Sequence, residues 1–297
     1  MIDLMSIIYM PYSKEKMKGE NNMNYLLKKM MFAVVAVVFA LSLAVAAQAG
    51  MDSPFAIDNV PNVIGVGVGM VPDYLGSDDY TVAAAPFFRY TFAGTERYLQ
   101  LNVTELSFNV LNHPNFVLGP VVNYRPGRKD VDDDIVDEMD EVDDTVDVGI
   151  TAGYVWKNKA NPRHRFVTNL TFYMDAGDVY RGWLVSAGAR YWYPVSKPID
   201  LQIGVGTNYG NSQYMGTYFG VDSEDAKDSG LMKFDADEGF RDVNAQLAAV
   251  FHFSANWHLG AGIKYFGLIG DASDSPLVDG RGDANQFVYG LGVAYSW

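Results

Sequence analysis

The sequence predicts an all-β protein: a transmembrane up-and-down antiparallel β-barrel of about 12 strands, or about ten if one short pair fails to form. Three observations carry this. Large apolar residues alternate with small or polar ones in segment after segment, which is the side-chain period of a strand. The second face is dominated by Gly, Ala, Ser, Asn and Gln with single charges, whereas a water-facing sheet would carry Lys, Glu and Thr. Such a face suits a crowded polar lumen, with the large residues turned to lipid. Aromatics also gather near strand ends, at Tyr90, Phe92, Trp156, Trp183, Tyr191, Tyr193, Trp257, Tyr295 and Trp297, where interfacial girdles belong. A soluble sandwich shares the alternation but does not account for the small-residue face.

The amino terminus reads as a targeting segment. Lys28 and Lys29 precede an apolar run from Met30 to Val45, and Ala47-Gln48-Ala49 follows, so 23–49 has the three regions of a secretory signal cleaved before Gly50. The polar stretch ahead of it points to Met23 as the true start, with 1–22 a misassigned upstream extension. An anchoring helix is the alternative, but Met30 to Ala47 is 18 residues, at the short edge of a span. The barrel is then assigned to 50–297, and amino-terminal sequencing of the exported protein tests the cleavage.

Strands are expected near 62–71, 80–92, 97–103, 105–111, 115–125, 145–156, 164–174, 181–193, 198–208, 241–253, 256–269 and 286–297. In the first, Ile64, Val66, Val68 and Met70 oppose Gly65, Gly67 and Gly69. Ala93-Gly94-Thr95-Glu96 and Asn112-His113-Pro114-Asn115 bound the short strands, whose two members only Thr104 separates. Val146, Val148, Ile150, Tyr154 and Trp156 define the sixth strand, and Ile199, Leu201, Ile203 and Val205 the ninth. Trp257, Leu259, Ile263 and Tyr265 oppose His258, Gly260, Gly262 and Lys264 in the eleventh. In the last, Phe287, Tyr289, Leu291, Val293, Tyr295 and Trp297 share one face. The connections alternate between short turns, expected in the periplasm, and mostly longer loops at 72–79, 126–144, 175–180, 209–240 and 270–285, expected outside.

Composition removes several chemistries. Without Cys there is no disulfide framework, thiolate metal site or cysteine nucleophile. With 36 acidic against 22 basic residues the chain is not a nucleic-acid binder. Gly65-Val66-Gly67-Val68-Gly69 has Met70 where a dinucleotide loop needs its third glycine, so it reads as a strand, and no cofactor is expected. Residues 129–147 hold eleven Asp or Glu and one Lys, without EF-hand spacing. They read as a solvated, self-repelling loop, and no specific metal site is assigned. Calorimetry on the folded protein is expected to show divalent-cation affinity no tighter than about 10⁻⁴ M, and a submicromolar site would overturn this. His113, His164, His252 and His258 sit near turns, with no nucleophile placed beside them by the sequence, so no catalytic residue is assigned. Arg89, Arg125, Asp147, Arg190, Asp200 and Lys264 have inward parity and are candidate lumen charges, for ion pairs or a constriction.

Ordered blocks carry a resemblance to a known family. Pro72-Asp73-Tyr74-Leu75-Gly76-Ser77-Asp78-Asp79-Tyr80 after a glycine-rich strand resembles the opening motif of the MipA/OmpV outer-membrane proteins. Gly119-Pro120 with Tyr124-Arg125-Pro126-Gly127-Arg128, then Tyr218-Phe219-Gly220-Val221, then Gly270-Asp271-Ala272-Ser273-Asp274-Ser275-Pro276-Leu277-Val278 resemble later blocks, and the closing aromatic strand the last, although Trp297 stands where Phe is commoner. The resemblance implies an outer-membrane barrel of a Gram-negative bacterium without known catalytic residues. It further implies a scaffold for murein-remodelling partners, a lytic transglycosylase and a murein synthase. The alternative is a narrow channel or uptake barrel for small solutes. It also suggests that the ending Val293, Tyr295 and Trp297 is what the barrel-assembly machinery recognises, before the barrel settles among outer-membrane lipid.

Overall fold

Alternation builds every wall segment from Asn62 onward. The computed structural model describes residues 62–297; the expected start at Met23 and the signal segment lie outside the described residues. The strands are β1 (Asn62–Pro72), β2 (Tyr80–Thr91), β3 (Tyr98–Asn102), β4 (Glu105–Asn109), β5 (Phe116–Arg125), β6 (Thr145–Lys157), β7 (Arg165–Asp175), β8 (Trp183–Pro194), β9 (Ile199–Gly210), β10 (Gly239–His252), β11 (Trp257–Leu268) and β12 (Asn285–Ser296). Each pairs antiparallel with its neighbours in sequence, and β1 pairs with β12 from Val63↔Ser296 to Met70↔Tyr289, which closes the barrel. Closure matters because lipid supplies no hydrogen bonds, so a spanning sheet can leave no long edge.

The faces follow the sequence parity. Val68, Ile150, Ile203, Val205, Leu247 and Leu291 point outward, each more than half exposed, and form an apolar belt that only lipid could cover. Among the described residues no helix is long and apolar enough to cross a membrane; the strands cross instead. The start of β1 and the end of β12 lie with the short turns at one end, which by the rule for such barrels is the periplasmic end, and the longer connections gather at the other. This is a closed, antiparallel β-barrel of twelve strands.

The doubtful short pair is real. β3 and β4 have five residues each, half the length of a spanning strand, and two residues rather than one join them. Val103 takes φ 56° in that turn, a strained conformation for a β-branched side chain, while its N–H donates to Pro86 O. The β4–β5 seam is equally tight. A Cβ on Gly119 would lie 1.7 Å from the Phe108 carbonyl oxygen, so the backbones touch only because glycine is there. Gly119→Ala is therefore expected to lose about 2–3 kcal/mol, read as a lower urea midpoint at unchanged slope.

The outer loops depart from expectation, because they fold. They contain helices α1 (Asp134–Asp137), α2 (Ser212–Phe219), α3 (Ser223–Ser229), α4 (Asp271–Asp274) and α5 (Pro276–Asp279). Side-chain caps start four of them: Asp133 accepts from the N–H groups of Ile135 and Val136, Asn211 from Tyr214, Asp222 from Glu224 and Asp225, and Ser275 from Leu277. The acidic 126–144 segment is not merely a solvated loop. Its apolar minority, Val131, Val136, Met139 and Val142, is buried in one cluster with Tyr74, Leu75, Tyr214, Phe219, Leu277 and Val278 from the other loops. The carboxylates ring this cluster and the apolar positions close it, so the loops form a lid with its own core over the outer mouth.

One ion pair ties the lid's parts together across the sequence. Arg281 donates from Nη2 to Asp133 Oδ2 at 2.5 Å and from Nε to Oδ1 at 3.1 Å. Burial pushes the Asp133 carboxyl up, but Arg281 and the two α1 N–H groups outweigh it and hold it below its ordinary value. A carboxyl with a depressed folded pKa contributes stability above its unfolded value, about pH 4, and loses it as pH falls through the lower folded value. Amide protection across 131–142 is therefore expected to fall below about pH 4 in the parent protein. In Asp133→Asn it should already be reduced at neutral pH and should change less on acidification; identical acid profiles would refute the assignment.

Candidate functional site

The lid's floor is a buried charged layer. Arg125, at the end of β5, donates from Nε and Nη2 to Asp147 Oδ2 of β6 at 2.9 and 2.6 Å. Asp147 is fully buried and also accepts from the Tyr180 hydroxyl at 2.7 Å and from Asn123 at 3.2 Å. Next to it Arg241 bonds Asp242 at 2.7 Å and Tyr214 of α2 at 2.5 Å, and Asn208 donates to Asp242 at 2.9 Å. The guanidinium of Arg125 lies 5.3 Å from the Tyr214 ring. The buried charges thus have multiple partners, as a low-dielectric site demands. Arg125 and Asp147 are the two of the six lumen candidates that pair with each other.

Below this layer lies a polar chamber of about 170 Å³. Arg89, Arg190 and Lys264 all line it. Arg89 donates to Gln100 at 2.9 Å and stacks 3.6 Å from the Tyr98 ring, Arg190 bonds Asn169 at 3.4 Å, and Lys264 sits 4.4 Å from the Phe266 ring. Glu96, Glu105 and Lys157 line the same chamber, so the waist of the lumen carries charges of both signs from several sectors of the wall.

Asp200 is elsewhere. It stands at the periplasmic end, on β9, in a vestibule of about 630 Å³ whose walls include Val63, Phe87, Trp192 and Val250. Arg163 clamps its Oδ1 through Nη2 at 2.7 Å and Nε at 3.0 Å. Its Oδ2 lies 2.9 Å from His252 Nε2. His252 Nδ1 is 2.7 Å from His258 Nδ1, and His258 Nε2 is 2.8 Å from Ser296 Oγ. A continuous line Asp200–His252–His258–Ser296 therefore joins β9, β10, β11 and β12.

Nothing in the sequence reading brings this line together. The sequence puts the histidines near turns without a nucleophile at hand, whereas His258 stands beside a serine hydroxyl with His252 behind it. One signal was available: His252 and His258 flank the 253–257 turn symmetrically, share inward parity, and pair directly across β10 and β11. The other two behave as turn residues. His113 Nδ1 accepts from the N–H groups of Asn115 and Phe116, and His164 contacts the Tyr191 hydroxyl at 3.2 Å. Val293 and Trp297 lie on the exposed outer face, and Tyr295 and Trp297 stack at 6.4 Å near Trp257. Among the described residues no cluster of three or more His, Asp or Glu is arranged to hold a metal ion.

The barrel is similar to several solved structures. They include the NanC porin, at TM-score 0.46 and 9% identity over 79% of this chain and 100% of that one. An outer membrane channel from Pseudomonas putida F1 matches at 0.44 and 16% over 82% and 99%. The translocator domain of the autotransporter NalP from Neisseria meningitidis matches at 0.40 and 10% over 93% and 98%. Comparison with curated proteins yields no match. A family model, that of the MltA-interacting protein MipA, matches residues 64–297, the whole described barrel but its first two residues, and the chain belongs to that family.

Proposed function

We propose that this barrel is a sealed outer-membrane scaffold that holds murein-remodelling proteins, a lytic transglycosylase and a murein synthase, at its periplasmic end. The observation that carries the reading is the asymmetry of the lumen. The outer mouth is closed by a lid with a buried apolar core over a paired charged floor, while the periplasmic end opens into a vestibule. A barrel closed to the outside is suited to presenting a surface rather than passing solutes. The family's description names an interaction with MltA, which supports the same role. The short turns at this end carry exposed apolar side chains, Val110, Val195 and Phe253, that offer partner contacts. They are few, so the contact is expected to fall below the roughly 800 Å² per side of a standard stable interface.

Crosslinked co-purification from outer membranes tests the scaffold. Recovery of a lytic transglycosylase with the barrel supports it, and repeated absence with normal insertion overturns it. Planar-bilayer recordings test the seal: the purified barrel is expected to show no steady openings, and steady openings would favour the narrow-channel alternative.

A further inference from the structure

The scaffold role asks no chemistry of the chain, yet the vestibule contains a continuous line of hydrogen-bonding groups that ends on a hydroxyl. His252 Nε2 lies 2.9 Å from Asp200 Oδ2, and the tautomer with Nε2 protonated donates to that oxygen. In that tautomer His252 Nδ1 is bare and accepts from His258 Nδ1, 2.7 Å away. His258, with its proton on Nδ1, has a bare Nε2 that accepts from the Ser296 hydroxyl 2.8 Å away. That is a hydroxyl beside a general base, with the base oriented by further groups, the recurring geometry of an activated nucleophile.

Two further observations bear on a ligand in the same vestibule. The vestibule, about 630 Å³, has the size of a small-molecule site and is mostly apolar. Its floor is widened by Gly260 and Gly292, paired across β11 and β12, with Gly67 next to Gly292 on β1. Beside it Gln202 is 1% exposed, with neither its amide oxygen nor its amide nitrogen hydrogen-bonded. Its cross-strand neighbours Trp192 and Ala248 both line the vestibule. This unpartnered amide lies behind the vestibule wall rather than on it, and makes that wall polar from within. Arg165 and Lys197 add cationic groups to the same walls.

We propose that Ser296 is the nucleophile of an esterase site that takes carboxylic esters of aliphatic acids from the periplasmic side. The apolar, glycine-floored wall accepts the acyl chain, and Arg165 and Lys197 on the vestibule walls supply positive charge for the carboxylate product. Ser296 Oγ attacks the ester carbonyl carbon and its proton passes to His258 Nε2. The positive charge is shared through Nδ1 with His252 and balanced by Asp200. The carbon–oxygen bond to the alcohol breaks, and the leaving oxygen takes the proton from His258. Water then attacks the acyl-serine, gives one proton to His258 Nε2, and that proton returns to Ser296 as the acid is released. The net reaction is ester plus water to carboxylic acid plus alcohol, with no other reactant.

The test uses the full barrel, folded in detergent and checked by heat-modifiable gel mobility, with a fluorophosphonate probe and p-nitrophenyl butyrate. The expected results are probe adduct on Ser296 by peptide mapping and ester hydrolysis that falls at least tenfold in Ser296→Ala and in His258→Gln. Ser296→Cys keeps a nucleophile in place, and its thiol should react with iodoacetamide faster than the same thiol in a His258→Gln background. Absence of an adduct on Ser296 in the folded barrel, or equal hydrolysis by Ser296→Ala, would overturn the proposal. The scaffold reading is unaffected by either outcome, since partner capture is measured separately.

Discussion

Arg125→Ala is expected to cost the folded barrel about 3–5 kcal/mol, the largest single-residue stability effect foreseen for this chain. The substitution removes two charge-assisted hydrogen bonds to Asp147 Oδ2 and leaves that carboxylate with no cation, fully buried beneath the lid. Tyr180 and Asn123 still donate to it, but neutral donors do not offset the desolvation of an unpaired charge. The guanidinium also lies against the rings of Tyr180 and Tyr214, so its loss opens a cavity beneath α2. Guanidinium unfolding in detergent, followed by tyrosine and tryptophan fluorescence, reads the loss. The pair is separated from the single group by the double variant Arg125→Met, Asp147→Leu, which should recover most of the stability because no charge stays buried alone. A loss under 1 kcal/mol for Arg125→Ala would mean that water reaches this layer and that the lid does not seal.

Deleting Trp297 is expected to abolish accumulation of folded barrel in cells by tenfold or more while leaving the purified protein able to refold. The folded-state contribution of this residue is bounded. It stacks on Tyr295, is partly exposed on the outer face, and donates its backbone N–H to Asn62 O at 3.2 Å. Losing those contacts costs a few kcal/mol at most, comparable with truncating a large aromatic side chain. If Val293, Tyr295 and Trp297 serve as the signal for the assembly machinery, the cellular loss exceeds what that stability change explains. Heat-modifiable mobility measured in cells and after refolding in detergent separates the two accounts. Normal accumulation of the truncated chain in cells would leave Trp297 as one more girdle residue.

The strands were readable in the sequence because their physics is local. Lipid on one side and a narrow lumen on the other impose opposite chemistries on successive residues, so Phe287 to Trp297 announces both its strand and its faces without reference to any other segment. The tight pair β3 and β4 was harder, because a turn made by Val103 at positive φ carries no Gly or Asn to mark it. The lid was hidden for a different reason. Val131, Val136, Met139 and Val142 look isolated among eleven carboxylates, and their burial depends on Tyr74, Phe219 and Leu277, which lie far away along the chain.

Sequence by itself determined the twelve-strand barrel, the inward parity of Arg89, Arg125, Asp147, Arg190, Asp200 and Lys264, and the family. Only the tertiary structure decided what those inward groups face. Parity says that Asp200 and Ser296 point into the lumen, but barrel closure brings the last strand beside β11 and puts a serine 38 positions away within 2.8 Å of His258. The same closure separates Asp200 from the other five charges and gives it Arg163 and His252 instead. A period along one strand fixes the side on which a residue sits; the registers of all twelve strands together fix its height in the lumen, and contacts across a lumen are set by height.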